Sequence, residues 1–165
     1  MTRGYISIGS NINRNYFITK GIDSIRQTFG TLALSSLYES ESIGFEGDPF
    51  YNLVAGFDST LDVYVIAQVL RLIEQQYGRT ADSKKFSSRT LDLDLLVYGD
   101  LIINDDRLQL PRREIERYPF VLEPLAEIAP EQIHPILQVC YADLWQQMAS
   151  SNQKQWRVPF PTAIP

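Results

Sequence analysis

In RTLDLDLLVYGD, residues 89–100, two acids interrupt a run of apolar side chains. Side chains alternate between the two faces of a β-strand, so Asp92 and Asp94 point to one side and the leucines around them to the other. Two carboxylates about 7 Å apart on one strand repel each other, and each favours protonation unless a cation lies between them. A divalent cation that also binds phosphates is one solution, and a solvated sheet face is the other. From this stretch alone, the solvated face is the better interpretation.

The composition indicates one domain with a sizeable core. The chain has 165 residues, 44% of them hydrophobic, with nine Tyr and eight Phe, which fits a single domain over residues 1–165. Its single cysteine, Cys140, excludes an internal disulfide and a cysteine-based zinc site. Its single histidine, His134, excludes a histidine cluster and a conventional catalytic triad. Because His134 lies between Ile133 and Pro135, we predict a structural loop histidine.

The sequence carries no sign of secretion or membrane insertion. The first residues, MTRGYISIGSN, do not resemble a signal peptide, and no apolar stretch approaches the length that spans a bilayer. We therefore expect a soluble, cytoplasmic protein without a membrane partner, and we expect it to be a monomer.

Charge is unevenly distributed along the chain. The net charge of −5 argues against a general nucleic-acid-binding protein. Eight of the 15 basic residues nevertheless lie close to the acid pair on both sides: Arg79, Lys84, Lys85, Arg89, Arg107, Arg112, Arg113 and Arg117. Acids that hold a metal, flanked by cations that bind phosphate oxygens, are what metal-dependent phosphoryl transfer requires. A solvated charged loop remains the alternative.

Hydrophobic periodicity predicts a series of strands and helices. Strands over residues 4–9, 32–39 and 51–60 precede the strand with the two acids. One helix follows the first strand, and a second runs from a cap at Asp62 to Gly78. The order strand, helix, strand, strand, helix, strand is that of an α+β, ferredoxin-like four-stranded antiparallel sheet with two helices on one face. The other face would then be free for function.

The pattern is weaker after residue 100. We predict a short hairpin over residues 100–106, a short helix over residues 119–127 that begins with proline, and an irregular tail from Asn152. These elements form C-terminal additions to the sheet. The chain contains neither GxxxxGKS/T nor GxGxxG, so a bound nucleotide would be held by the basic segment and a metal.

Glu74 is unusually placed in the second predicted helix. It lies in the last turn, where the helix dipole disfavours an acid by a few tenths of a kcal/mol. Either Arg79 pairs with it, or Glu74 faces the same site as Asp92 and Asp94. Both interpretations stay open.

Five short motifs resemble those of the 6-hydroxymethyl-7,8-dihydropterin pyrophosphokinase family of folate biosynthesis. They are YISIGSN at 5–11, FYN at 50–52, IEQQYGR at 73–79, RTLDLDLLVYGD at 89–100 and FVLEPLAEIAP at 120–130. Their order and spacing match, and the last two together are highly specific. The resemblance implies an enzyme that moves the β,γ-diphosphate of ATP to the hydroxymethyl group of the dihydropterin and releases AMP.

The resemblance implies a role for each matching residue. Asp92 and Asp94 would hold two magnesium ions that bridge the ATP phosphates, and Arg79 and Arg89 would be the catalytic arginines. The dihydropterin would lie between the rings of two aromatic residues, and the remaining substrate contacts would come from an amide and from backbone groups: Phe50, Phe120, Asn52, Gly9, Ser42 and Ile43. At both phenylalanines a core position is the alternative.

Several positions depart from the family pattern. Ala81, Phe86 and Ser88 precede Arg89 where the family has a second arginine, a tryptophan and a proline. Arg112 replaces a histidine, and Tyr118 replaces an arginine. For the nucleotide we predict a set of binding residues that includes these shifted positions: Glu74, Lys84, Lys85, Arg112, Arg113 and Tyr118.

Three hypotheses follow from the sequence. An active pyrophosphokinase is favoured because every predicted metal and pterin residue is present. A divergent paralogue that binds pterin or nucleotide with little or no transfer would explain Ala81 and Tyr118. A ferredoxin-like RNA-binding module is disfavoured, because the net charge is acidic and an acid pair on the sheet would repel a phosphate backbone.

Overall fold

The computed structural model describes residues 1–41, 48–78, 90–148 and 154–161. Within these ranges the chain forms strands and helices in the order β1 (Thr2–Ser10), α1 (Arg14–Phe29), β2 (Ala33–Leu34), β3 (Leu37–Ser40), β4 (Phe50–Ser59), α2 (Val63–Gln76), β5 (Asp92–Tyr98), β6 (Ile103–Asn104), β7 (Gln109–Leu110), α3 (Glu114–Arg117), α4 (Pro119–Ile128), α5 (Tyr141–Met148) and β8 (Gln155–Val158).

An antiparallel sheet organises the described part of the chain. Its six strands follow the order β5-β1-β4-β3-β8, with β2 beside β4. The predicted strands correspond to β1, β3, β4 and β5, which are neighbours in this sheet. The mixed helix and sheet class is therefore confirmed, but the sheet is larger than the predicted four strands because β2 and β8 extend it.

The prediction of an irregular tail from Asn152 is wrong for Gln155–Val158, which forms β8. This strand pairs antiparallel with β3, so that Leu37 lies opposite Val158. Without β8, strand β3 would be an edge with unpaired backbone groups. The pairing depends on a strand more than one hundred residues earlier, and a local pattern rich in proline does not reveal it.

The strand predicted over residues 32–39 is divided into β2 and β3 at two serines. Ser35 donates its N–H to the carbonyl of Val54, and its hydroxyl accepts the N–H of Val54, both at 2.9 Å. Ser36 donates its N–H and its hydroxyl to the carboxylate of Glu127 in α4. These bonds replace those of a continuous ladder, so the strand is interrupted without leaving these backbone groups unpaired.

Helices α1 and α2 pack on one face of the sheet, as predicted. Alternate strand residues point to this face and are buried: Ile6, Ile8, Leu53, Ala55, Phe57, Leu93 and Leu95. The helices contribute their apolar stripes: Ile18, Ile22, Ile25, Ile66, Leu70 and Ile73. The predicted cap of α2 is confirmed, because the Asp62 carboxylate accepts the N–H of Tyr64 at 2.9 Å. Each fully buried aliphatic side chain stabilises the fold by about 1.5–3 kcal/mol.

The opposite face of the sheet is partly covered, which corrects the expectation that it is free. Helices α3, α4 and α5 bury a second apolar cluster against it: Tyr5, Val54, Leu96, Val97, Ile115, Val121, Leu122, Leu125 and Tyr141. A register shift in the pairing of β1 with β5 lies between Tyr5 and Ile6, and both Leu96 and Val97 join this cluster. Only the rest of this face remains for a site.

The hairpin predicted over residues 100–106 lies further along the chain. Strands β6 and β7 pair with Ile103 opposite Leu110. Asp105 closes the turn between them, because its Oδ1 accepts the N–H groups of Arg107 and Leu108 at 2.8 and 2.9 Å. An aspartate that bonds its own backbone two and three residues ahead is a strong turn former.

The helix predicted over residues 119–127 is confirmed as α4, with Pro119 in its first turn. Proline lacks an N–H that the first turn of a helix could not have used. Helices α3 and α5 were not indicated by the sequence pattern, since both are short. Among the described helices, none combines the length and the apolar character that a membrane span requires.

His134 is a structural loop residue, as predicted. It is 1% exposed, and its Nδ1 accepts the N–H groups of Ile136 at 3.2 Å and Leu137 at 3.1 Å. Burial lowers the pKa of His134 below its usual value. The neutral imidazole is therefore the form that the fold requires.

The stability of the protein should fall as the pH decreases from 7.5 to 5.5. The unfolded chain binds a proton at His134 near pH 6.5, whereas the folded chain resists it, so the unfolded state gains protons first. The loss should be less than about 1.4 kcal/mol at pH 5.5. Urea unfolding at three pH values measures it. His134→Gln should remove the slope in this range, and a slope unchanged in that variant would contradict the assignment.

Candidate functional site

Strand β5 presents its two acids on one face and its leucines on the other, as the alternation predicts. Leu93 and Leu95 are each 4% exposed and lie in the core under α1 and α2. Asp92 and Asp94 point to the opposite face and are partly exposed. The two carboxylates therefore remain near solvent, where their mutual repulsion is reduced.

A row of residues crosses three neighbouring strands on the acid face. Gly9 of β1 lies opposite Asp92 of β5 on one side and opposite Asn52 of β4 on the other. Ser7 lies opposite Asp94 in the same way. Neighbouring strands are about 4.8 Å apart, so Asp92 and Asn52 lie roughly 10 Å apart across the sheet. The predicted metal residues and the predicted amide therefore share one face.

Gly9 is needed because the Asn52 side chain lies against it. A Cβ atom on Gly9 would lie 2.8 Å from Asn52 Oδ1, closer than such atoms approach. Asn52 is 5% exposed, and its Nδ2 donates to the Ser40 hydroxyl at 3.3 Å. The carboxamide is thus held in one place between β1 and β3.

The two predicted stacking rings lie on different elements. Phe50 begins β4, two residues before Asn52, so it points to the same face. Phe120 is the second residue of α4, which packs on that face. Both rings are half-buried. The ring of Tyr118 stacks on Phe120 with centroids 5.1 Å apart and planes at 17°.

A cavity of about 610 Å³ lies between α2, β5 and the β6–β7 hairpin, and we call it the α2–β5 cavity. Apolar side chains form part of its wall: Leu70, Leu93, Leu95 and Leu108. Polar and charged side chains complete it: Arg71, Glu74, Gln75, Asp94, Asp105, Asp106, Arg107, Gln109 and Arg112. It therefore meets the acid pair at Asp94.

Glu74 binds the outer edge of β5. It is 5% exposed, and its Oε2 accepts the N–H of Leu93 at 2.8 Å. Leu93 lies between the two acids, so the structure places Glu74 beside Asp92 and Asp94. The alternative pairing with Arg79 lies outside the described residues.

Arg112 faces the cavity and contacts two acids. Its Nε donates to Glu114 Oε2 at 2.9 Å, and its Nη2 lies 3.8 Å from Asp94 Oδ1. Burial opposes its charge, but Asp94 and Glu114 outweigh this effect and raise the pKa of Arg112 above its usual value. Its backbone N–H donates to the carbonyl of Leu96 at 2.9 Å, which fixes it beside β5.

Two predicted nucleotide residues lie elsewhere. Arg113 is exposed at the start of α3 and is not part of the cavity wall. Tyr118 lies against Phe120, on the side of the predicted pterin rings. Six predicted site residues lie outside the described part of the chain: Arg79, Lys84, Lys85, Arg89, Ser42 and Ile43.

The structure adds cavity residues that the sequence analysis missed. Arg71 and Gln75 lie on α2 three residues before and one residue after Glu74. Arg71 lies three residues before Glu74 and four before Gln75, and this spacing was a usable signal because residues three and four apart share a helix face. Gln109 belongs to β7, and its place depends on the folding of the hairpin.

The acid pair has the donors that magnesium uses when it arrives with phosphates. Among the described residues, no group of three or more His, Cys, Asp or Glu side chains is arranged to hold a metal. Magnesium is usually bound through one or two carboxylates together with substrate phosphates and water, without a cage made only of protein. Asp92 and Asp94 therefore fit this ion.

Comparison with known proteins defines the class. A family model described as 7,8-dihydro-6-hydroxymethylpterin-pyrophosphokinase (HPPK) matches residues 5–130. A 2-amino-4-hydroxy-6-hydroxymethyldihydropteridine pyrophosphokinase of Haemophilus influenzae is 34% identical, with 84% of this chain and 89% of the relative covered. The corresponding protein of Pseudomonas aeruginosa is 35% identical, with 78% and 82% covered. Both relatives are named as pyrophosphokinases, and the family model covers most of this chain.

Longer proteins contain a similar unit. The folic acid synthesis protein fol1 of Pneumocystis carinii is 34% identical over 91% of this chain, which spans 20% of that protein. A Plasmodium falciparum HPPK-DHPS structure with pteroate shares the fold, with a TM-score of 0.72 and 14% identity over 90% of this chain and 42% of that one. The chain belongs to the 7,8-dihydro-6-hydroxymethylpterin-pyrophosphokinase family.

Gly9→Ala should destabilise the protein by about 1–3 kcal/mol, the usual cost of forcing an extra methyl group into a packed site. The same substitution in an Asn52→Ala background should cost much less, because the clashing carboxamide is gone. Urea unfolding of the four proteins gives this coupling free energy. Equal costs in both backgrounds would show that Gly9 does not make room for Asn52.

Proposed function

We propose that this chain transfers the β,γ-diphosphate of ATP to the hydroxymethyl group of 6-hydroxymethyl-7,8-dihydropterin and releases AMP. The observation that carries the proposal is the position of the acid pair between the α2–β5 cavity and the row that contains Gly9 and Asn52. Asp94 lines the α2–β5 cavity, and Asp92 lies in one row with Gly9 and Asn52. A reaction between two substrates requires that both are bound side by side. The acids lie where the α2–β5 cavity meets the row of Gly9 and Asn52.

The α2–β5 cavity suits ATP. Its volume of about 610 Å³ is typical of small-molecule sites. Leucines from α2, β5 and the hairpin offer apolar contacts to a purine, while Gln75 and Gln109 offer hydrogen bonds. Arg112, which remains cationic beside Asp94, would donate charge-assisted hydrogen bonds to phosphate oxygens. Lys84 and Lys85 are the further cations expected there.

Asp92 and Asp94 would hold magnesium together with the ATP phosphates. When bound, this ion supplies positive charge that neutralises the phosphates and favours attack at the β-phosphorus. Strand β5 itself holds the two carboxylates on one face. Glu74 contributes by binding the N–H of Leu93, the residue between them, which fixes the edge of β5.

The dihydropterin would bind on the same face as the acids. Phe50 and Phe120 are half-buried, so their rings can contact the two sides of a flat heterocycle. Asn52 offers both a donor and an acceptor to the edge of the ring, and its position is fixed by Ser40. The missing side chain of Gly9 leaves room for this arrangement.

The chemistry would depend on positioning and charge. The hydroxymethyl oxygen forms a bond to the β-phosphorus and loses its proton to solvent, while the bond from that phosphorus to the oxygen of the α-phosphate breaks and AMP leaves with this oxygen. Fixing both substrates replaces an encounter in solution by a step within one complex. Arg79 and Arg89 would donate to the transferred group, and Arg112 would stay on the nucleotide side.

The direct test is incubation with ATP, magnesium and the dihydropterin, followed by separation of nucleotides. AMP should appear in a one-to-one ratio with the diphosphorylated pterin. ADP as the nucleotide product would indicate transfer of a single phosphoryl group. Absence of any nucleotide product would remove the proposed activity.

Asp94→Asn should fold normally, because it relieves a repulsion, yet lose at least about a hundredfold in turnover. This corresponds to roughly 2.7 kcal/mol of transition-state stabilisation. Steady-state AMP release at limiting and saturating magnesium measures it. Asp58→Asn is the matched control, since Asp58 pairs with Arg3 at 3.0 Å near the end of β4. Turnover of Asp94→Asn equal to wild type at limiting magnesium would contradict the metal role.

Arg112→Ala should raise the Michaelis constant for ATP or lower turnover by roughly 1.5–3 kcal/mol, the usual value of a hydrogen bond to a charged group. The Michaelis constant for the dihydropterin should change little. Arg26→Ala controls for the loss of one positive charge, because Arg26 lies in the last turn of α1 and not in the cavity wall. If both substitutions change the Michaelis constant for ATP and turnover equally, Arg112 acts only as a surface charge.

A further inference from the structure

We propose that Gln155 in the C-terminal strand is a positioning residue for the dihydropterin site, because it fixes the first turn of α4 and with it the ring of Phe120. This inference rests on the proposed function. Gln155 lies beyond residues 5–130, where the family model matches. The tail that carries it therefore contributes a part of the site that the shared motifs do not include.

The side-chain amide of Gln155 binds α4 at its beginning. Nε2 donates to the carbonyl of Pro119 at 2.8 Å and to Glu123 Oε1 at 2.6 Å. Pro119 is the first residue of α4, and its carbonyl belongs to the peptide bond that joins it to Phe120. A shift of this carbonyl therefore shifts the backbone of Phe120 directly.

The same residue is in register with the other predicted ring. Ser40 of β3 lies opposite Gln155 on one side and opposite Phe50 on the other. Residues directly opposite across antiparallel strands point to the same face, so Gln155 and Phe50 share the face on which α4 packs. Gln155 thus connects the sheet row that contains Phe50 to the helix turn that contains Phe120.

The spacing of two stacking rings is sensitive to small shifts. Carbon atoms attract best at about 3.5–4.0 Å, so a flat ring between two others needs their planes roughly 7–8 Å apart. A gap of 0.5–1 Å at one contact already loses a quarter to a half of the attraction. A hydrogen bond one residue from Phe120 acts on this scale.

Helix α4 has other anchors, so loss of the Gln155 bonds should leave it docked. Near its other end the Glu127 carboxylate accepts the hydroxyls of Ser36 and Tyr38, each at 2.7 Å. The apolar side chains Val121 and Leu122 are also buried against the sheet. A change at Gln155 should therefore loosen the first turn without unfolding the helix.

Stability alone does not explain this glutamine. The Oε1 atom of Gln155 is buried without a hydrogen-bond partner among the described residues, which is unfavourable. A lysine has donors and no such acceptor, and it could reach the same two oxygens. Gln155→Lys and Gln155→Leu therefore separate donation to α4 from the volume of the side chain.

The test is calorimetric binding of the dihydropterin in the presence of magnesium and a non-transferable ATP analogue, and of the analogue by itself. Gln155→Leu should bind the dihydropterin about tenfold more weakly, which is about 1.4 kcal/mol, and the analogue within twofold of wild type. Gln155→Lys should retain most of the dihydropterin affinity. Trp156→Ala is the matched control, since Trp156 is 43% exposed on the same strand and should lower Tm without this difference between ligands.

The outcomes separate the hypotheses. Unchanged dihydropterin binding by Gln155→Leu, equal weakening for both ligands, or Gln155→Lys as weak as Gln155→Leu would each overturn the positioning role while the proposed function stands. A wild-type protein that binds the ATP analogue but not the dihydropterin would overturn the proposed function and this inference together.

Discussion

The candidate site depends on which side chains of β5 face the core and which face the other side of the sheet. Leu93 and Leu95 are almost completely buried under the helices, and each contributes about 1.5–3 kcal/mol to folding. A register slip of one residue would expose these leucines and bury Asp92 and Asp94 in their place, which is far more costly than the repulsion between two partly hydrated carboxylates. The apolar core thus holds the acids together, and the rest of the site is arranged around them.

Three separate parts of the chain meet at this strand. The first strand brings Gly9 beside Asp92, helix α2 brings Glu74 to its outer edge, and the segment after β7 brings Arg112 to Asp94. Each is positioned by backbone contacts that also hold the fold. The Nη2 atom of Arg112 lies 3.8 Å from Asp94 Oδ1, so the arginine reaches the acid pair from the segment after β7.

The sequence predicts those structural features that depend on residues a few positions apart. The alternation of β5, the stripe of α2 with its cap at Asp62, and the start of α4 at Pro119 all follow from neighbours a few residues apart, and all are observed. Long-range pairing is different: the strand at Gln155 and the interruption at Ser35 depend on partners far along the chain. For the same reason the sequence predicts only some residues of the cavity wall. The hairpin residues in this wall are placed by tertiary contacts.

The bond between Glu74 and the N–H of Leu93 has a consequence outside the site. Strand β5 is the last strand on its side of the described sheet, and a terminal strand offers unpaired amide groups to any extended peptide from another molecule. Glu74, which is 5% exposed, occupies one of these groups. Because this N–H is bonded within the chain, it does not pair with a strand of another molecule while the bond is intact.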